Sequence, residues 1–362
     1  MNKPYRSIST RLLTWYRKNA RDLPWRRTRD PYKIWVSEIM LQQTTVNTVI
    51  PYYERWIRLF PTIRDLAKAN LQQVLRAWQG MGYYQRARNL HQSARLICRN
   101  YHARLPEQAE ILRQLPGFGD YTTAAVLSIA FDQRLPLIDT NVRRVALRLN
   151  NILSNNHHRH DHRLRDFLSN NLPRRNIHLF NQALMELGAL ICRPNDPDCP
   201  VCPLRLSCQA FQHGDPILIG DKTKKKYEHI QVVAALIQRN DRCFIQRRPP
   251  GGLLGDMWEF PGGKVRPQES LRAALKREVK EELGIGLVIA RPWIRIRHSY
   301  TRFKVDLNVW HCKTRPWPRT DRTHKWVAIN DLSRYPMPSA NVKILNQLRN
   351  DRKDSSHAHT SD

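Results

Sequence analysis

LPGFGDYTTAAV, residues 115–126, sets Pro116, Gly117 and Gly119 directly ahead of an apolar run of helical character. Pro116 ends the preceding helix, and the two glycines permit a tight turn. Backbone N–H groups in such a turn approach a phosphate with no side chain between, and the next helix points its positive end at the same anion. A glycine turn between helices is by itself only a connection, so the reading depends on what else the chain carries.

Outward from this turn, apolar residues recur at helical spacing: Ile8, Leu12, Leu13 and Trp15, then Val46, Val49 and Ile50, then Val74, Leu75 and Trp78. Residues 1–212 are therefore expected to form a mainly α domain. From His213 the chain runs through turn formers into Lys222-Thr223-Lys224-Lys225-Lys226 without amphipathic period, which reads as a linker over 213–229. Beyond it, residues 231–237 and 305–310 read as strands flanking a helix at 269–283, giving an α+β domain over 230–349. Residues 350–362 are polar and are expected to be a disordered tail. Two cores suit 362 residues. No apolar run reaches the roughly 18 residues of a membrane span.

The second landmark is CRPNDPDCPVCPLRLSC, residues 192–208, with Cys192, Cys199, Cys202 and Cys208 at Cys-x6-Cys-x2-Cys-x5-Cys spacing. No secretory leader is evident, so the thiols are expected to stay reduced and to serve as ligands rather than disulfides. Zinc usually takes two Cys-x2–4-Cys knuckles, whereas only Cys199 and Cys202 lie that close, which favours a 4Fe-4S cluster on four thiolates. Cys98, Cys243 and Cys312 are scattered and read as small apolar side chains. The formal net charge is +30, and both halves of the chain are basic, consistent with a polyanionic partner on either half.

The cysteine spacing, the 115–126 turn and an aspartate 20 residues after Gly119, Asp139, together resemble the endonuclease III superfamily of DNA glycosylases. The resemblance implies a helix-hairpin-helix whose Leu115, Gly117 and Gly119 contact DNA, with Asp139 entering the active site from a helix start. The segment 35–44, WVSEIMLQQT, is similar to the MutY adenine glycosylases, in which the glutamate, here Glu38, is the catalytic acid. Tyr121 stands where bifunctional relatives carry a Schiff-base lysine, so efficient strand cleavage is not expected. Adenine leaves readily only when its ring is protonated, and the sugar then needs a negative charge beside it. The resemblance gives Glu38 the first task and Asp139 the second. That division calls for a desolvated Glu38 with a raised pKa and an Asp139 that stays ionised beside N–H donors. Asn141, Tyr121 and Arg26 match further site positions. Gln43 and Tyr83 match wedge residues that fill the duplex once the target nucleotide is flipped out. Thr140 departs from the family's usual glycine.

Gly263-x5-Glu269-x7-Arg277-Glu278-Val279-Lys280-Glu281-Glu282-Leu283-Gly284-Ile285 satisfies a Nudix box. Glu278, Glu281 and Glu282 share one helical face, where oxygen ligands suit Mg²⁺ beside a diphosphate. In MutY proteins this domain resembles MutT and reads 8-oxoguanine opposite the adenine, usually with a degenerate box. Here the box is intact, and inherited scaffold is preferred over a second, nucleotide-hydrolysing activity. Tyr300, Thr301 and Arg302 resemble the family's Phe-Ser-His lesion-reading loop, with Arg302 in place of histidine. The resemblance thus implies a cytoplasmic, nucleoid-associated, monomeric and monofunctional glycosylase, acting on adenine opposite 8-oxoguanine or guanine in duplex DNA. The alternatives are a thymine or pyrimidine-lesion glycosylase and a nucleotide pyrophosphatase.

Overall fold

The computed structural model describes residues 7–152, 161–214, 216, 227–252, 254–300 and 303–358. These form two compact units. The first combines Met1–Ala67 with Gln92–Thr223, and the second combines Lys68–His91 with Lys224–Asp362.

The first unit is helical. Its Pro31–Leu41 helix starts at Asp30, whose carboxylate accepts the Tyr32 and Lys33 N–H groups, with Pro31 at the position where a missing N–H costs nothing. Every residue from Ile34 to Met40 is buried, so the helix lies inside the unit and presents no solvent face. Trp35 stacks on Phe118 of the glycine turn with ring centroids 5.0 Å apart, which ties this helix to the hairpin. Asp120–Ala130, Thr140–Leu149 and Ile177–Leu190 pack with Ile8–Asn19 around one core that includes Leu12, Ile129, Val145, Phe180 and Leu184.

In the second unit, β1 (Glu228–Arg239), β2 (Arg242–Arg247), β3 (Trp258–Glu259), β4 (Gly286–Tyr300), β5 (Phe303–Arg315) and β6 (His324–Ala328) form a mixed sheet. Its order is β3-β2-β1-β5-β4, with β6 paired to β2. β1 runs parallel to β5, with Val232 opposite Leu307, and the other pairings are antiparallel. Along β1 the side chains alternate between faces. Val233, Ala235 and Ile237 pack on Ala274, Leu275 and Val279 of the Leu271–Leu283 helix, while Ala234 and Leu236 pack toward Ile344, Leu345 and Leu348. Ser270 caps the Leu271–Leu283 helix and Gly284 closes it in the left-handed region at φ 69°. The anticipated strands fall within β1 and β5, and the helix anticipated over 269–283 begins two residues later, at Leu271.

Two features depart from the sequence expectations. Residues 68–91 group with the β unit, where Gln72 accepts from the Trp258 indole at 2.9 Å and Gln79 accepts from the Met337 N–H at 2.9 Å. Residues 350–358 are helical, because the Ser339–Ala358 helix continues through them. Polar composition does not prevent this: the segment extends a helix already nucleated, and Gln347 reaches Asp351 one turn on at 2.7 Å. Residues 359–362 lie outside the described set.

Candidate active site

Glu38 is the eighth residue of its helix, 4% exposed, and accepts a 2.6 Å hydrogen bond from the Tyr121 hydroxyl. Burial pushes the Glu38 carboxyl up to about 7, with the Asp139 charge adding to it and the Tyr121 hydrogen bond and Arg26 opposing. Burial and the charges of Glu38 and Asp139 drive the Tyr121 phenol well above 10, so it remains a donor.

Asp139 caps the Thr140–Leu149 helix, accepting the Val142 N–H at 2.6 Å on one oxygen and the Asn141 side chain at 3.4 Å on the other. Burial raises its pKa as well, against the Val142 N–H, Arg144 and Asn141. The two carboxyls therefore do not sit in opposite environments. Both are desolvated, and they differ in that Asp139 has N–H donors at a helix start while Glu38 has one phenol.

Asn141 is held in turn. Its amide oxygen accepts from Arg144 at 2.8 Å, and the same guanidinium reaches the carbonyls of Gly188 and Cys192 at 2.7 and 2.8 Å. A Cβ on Gly188 would stand 2.7 Å from the Asn141 Cβ, so only glycine lets the two helices approach this closely.

Arg26 is fixed by a carboxylate that sequence reasoning missed. Glu186, its side chain fully buried, accepts from Arg26 at 2.8 Å and from Arg21 at 2.7 and 2.8 Å. Burial works to raise the Glu186 carboxyl, and the two arginines overcome it and hold it at about 2. The available signal was a lone acid inside the apolar run Ala183-Leu184-Met185-Glu186-Leu187. Arg26, Glu38, Gln43, Tyr121, Asp139, Asn141 and Glu186 line one cavity of about 770 Å³, within the size range of ligand pockets.

At the glycine turn, the Phe118 N–H closes on the Leu115 carbonyl at 3.1 Å and Gly117 takes φ 85°. Gly119 is extended, with φ −81°, and a Cβ there would meet nothing within 4 Å. The turn needs glycine at 117 alone. The Asp120–Ala130 helix that Gly119 begins has no side-chain cap, which leaves its first N–H groups for an external acceptor. Gln43 is also left-handed, at φ 56°.

Cys192, Cys199, Cys202 and Cys208 are unbridged and line one small pocket. Arg148, 1% exposed on the Thr140–Leu149 helix, donates to the Cys192 sulfur at 3.4 Å and to the Arg193 and Pro194 carbonyls at 2.7 Å each. Burial raises the Cys199, Cys202 and Cys208 thiols, Cys202 to about 12, with neighbouring thiolates adding to it. A cationic centre reverses that balance by stabilising thiolate. Among the described residues no three His, Cys, Asp or Glu side chains converge on a single-ion position. The donor set, four thiols around one pocket, suits a multi-iron cluster with one ligand per iron.

In the second unit, a cavity of about 1110 Å³ is lined by Glu259, Glu278 and Glu282, by Gln246 and by Tyr83. Its carboxylates are engaged. Arg277 binds Glu278, and beyond the lining also Glu269 and Glu281, Arg248 binds Glu259, and Glu282 accepts the Gly262 N–H at 2.9 Å. Burial raises Glu282 to about 7, partly offset by Gln246 and Gly262. Thr301 and Arg302 lie outside the described residues, as does the Tyr300 side chain.

A helical unit with a glycine hairpin, a buried acid and a helix-capping aspartate is the architecture of a DNA glycosylase. Residues 36–169 match the HhH-GPD superfamily base excision DNA repair proteins, and residues 232–347 match the NUDIX domain. The chain is 35% identical over 253 residues to the adenine DNA glycosylase of Buchnera aphidicola subsp. Baizongia pistaciae, covering 69% of this chain and 72% of that one. It is 33% identical over 358 residues to the human adenine DNA glycosylase, covering 83% of this chain and 65% of the human protein. A solved thermostable thymine-DNA glycosylase superposes at TM-score 0.53 and 30% identity over 57% of this chain and 95% of its own. The chain belongs to the adenine DNA glycosylases.

Proposed function

We propose that this protein hydrolyses the N-glycosidic bond of adenine paired with 8-oxoguanine or guanine in duplex DNA, without cutting the strand. The observation that carries the reading is the buried Glu38, near neutral pKa and bonded to Tyr121, in one cavity with Asp139. Glu38 in its acid form gives its proton to the adenine ring, and the C1′–N9 electron pair leaves with the base. Asp139 balances the positive charge that develops on the sugar. Water adds to C1′, and the proton it releases restores the acid on Glu38. Tyr121 provides a hydroxyl where strand cleavage needs an amine.

The cysteines at 192, 199, 202 and 208 would hold a 4Fe-4S cluster that braces the 192–208 loop, which carries Arg193 and Arg205, against the Thr140–Leu149 helix. The cavity in the second unit is assigned as inherited scaffold, supported by the protein cations and N–H groups that occupy its carboxylates. Lesion reading is assigned to Tyr300, Thr301 and Arg302 on resemblance.

Base release from duplexes holding A opposite 8-oxoguanine, A opposite G and T opposite G tests the reading. Adenine alone should be released, and 8-oxo-dGTP with Mg²⁺ should not turn over. Thymine release would transfer the assignment to a pyrimidine glycosylase, and triphosphate turnover would make the Nudix box a second active site.

A further inference from the structure

Residues 80–84 join the Leu71–Trp78 helix to the Gln85–Asn100 helix through three left-handed positions, Gly80 at φ 101°, Gly82 at 71° and Tyr83 at 48°. Glycine adopts such angles freely and tyrosine does not, so surrounding contacts must hold Tyr83 in place. Arg86 supplies them. It is 9% exposed, and its Nη2 donates to the carbonyls of Met81 and Gly82 at 3.2 Å each. Its guanidinium carbon lies 5.2 Å from the Trp78 ring centroid and 5.3 Å from that of Tyr83. The Trp78 indole adds a donor to the Gly82 carbonyl at 3.0 Å, and the Arg86 N–H closes on the Tyr83 carbonyl at 2.9 Å.

We infer that Arg86 is a positioning residue for Tyr83: it fastens the loop carbonyls and the aromatic face so that the ring is set before DNA arrives. The inference rests on the reading of Tyr83 as a wedge on the opposite-base side. The chemistry is specific to arginine. A planar guanidinium stacks on aromatic rings through its faces while donating from its edge, whereas an ammonium is a point charge that does not do both. Presetting the ring removes an ordering cost from the bound state, and that gain should be largest for the base pair that Tyr83 is shaped to test.

The test compares single-turnover adenine release opposite 8-oxoguanine with that opposite guanine in the full chain, for wild type, Tyr83→Ala, Arg86→Lys and the double variant. Using the ratio of the two rates cancels any loss of folded protein, which lowers both equally. Arg86→Lys should lower the ratio by about the same factor as Tyr83→Ala, on the order of tenfold, as expected for about 1.4 kcal/mol. The double variant should fall within about twofold of Tyr83→Ala alone. Trp78→Phe, which removes the indole donor and part of the ring face under Arg86 but leaves the Arg86 bonds to the loop carbonyls, should lower the ratio less and show the same dependence on Tyr83; it takes the place of Arg86→Lys if that chain does not fold. Effects that multiply in the double variant, or a wild-type ratio in Arg86→Lys beside a lowered one in Tyr83→Ala, would overturn the inference. A wild-type ratio in Tyr83→Ala would instead remove the wedge reading, and the inference with it.

Discussion

Glu38 is the residue on which most depends, and its environment carries a cost in stability. Its folded pKa, about 7, lies above the ordinary 4.5, so between those values the folded state binds the proton that the unfolded state has released. Stability from this group is therefore full below pH 4.5 and is lost as pH rises toward 7, by roughly 3 kcal/mol at 1.36 kcal/mol per unit. Glu38→Gln should raise the melting temperature above wild type at pH 8 and lose that advantage at pH 5, as scanning calorimetry would show; equal gains at both pH values would contradict the burial argument. Gly119 makes the opposite kind of prediction. A methyl has room there, so Gly119→Ala should change stability by less than about 0.5 kcal/mol while weakening duplex binding, because the methyl stands where a phosphate would approach. Unchanged affinity in a gel-shift titration would remove the hairpin from the DNA interface.

At the scale of elements, the Thr140–Leu149 helix links the parts of the first unit. It begins with Asp139, holds Asn141 through Arg144, and sends Arg148 to the loop of the cysteines. Arg148→Met would leave the Arg193 and Pro194 carbonyls without their donor, a loss of roughly 3 kcal/mol. Iron per purified chain should fall well below wild type; full iron loading would show that the helix does not brace the loop. These links also mark what was legible beforehand. The cysteines are legible from their spacing, and Glu38 and Asp139 from the family resemblance that their segments carry. Glu186 is not, since its meaning lies in partners 160 and 165 residues away. Gly188 carries no signal in its own segment, and its necessity comes from the Asn141 side chain of another helix.

For the molecule as a whole, composition and pattern disclosed an α part and an α+β part, whereas the membership of residues 68–91 in the β unit rests on side-chain contacts that periodicity does not encode. A net charge of +30 should make duplex affinity strongly dependent on salt. Between 50 and 200 mM the dissociation constant should rise on the order of a thousandfold, the loss expected when about six phosphates are neutralised. A flat salt profile would mean that the charge faces elsewhere. Most directly, single-turnover base release from a duplex with adenine opposite 8-oxoguanine, assayed before and after alkali for wild type and Glu38→Gln, tests the central claim. Wild type should release adenine with the nick visible only after alkali, and Glu38→Gln should be slower by at least about a hundredfold. Release by Glu38→Gln at the wild-type rate, or strand scission without alkali, would contradict the account.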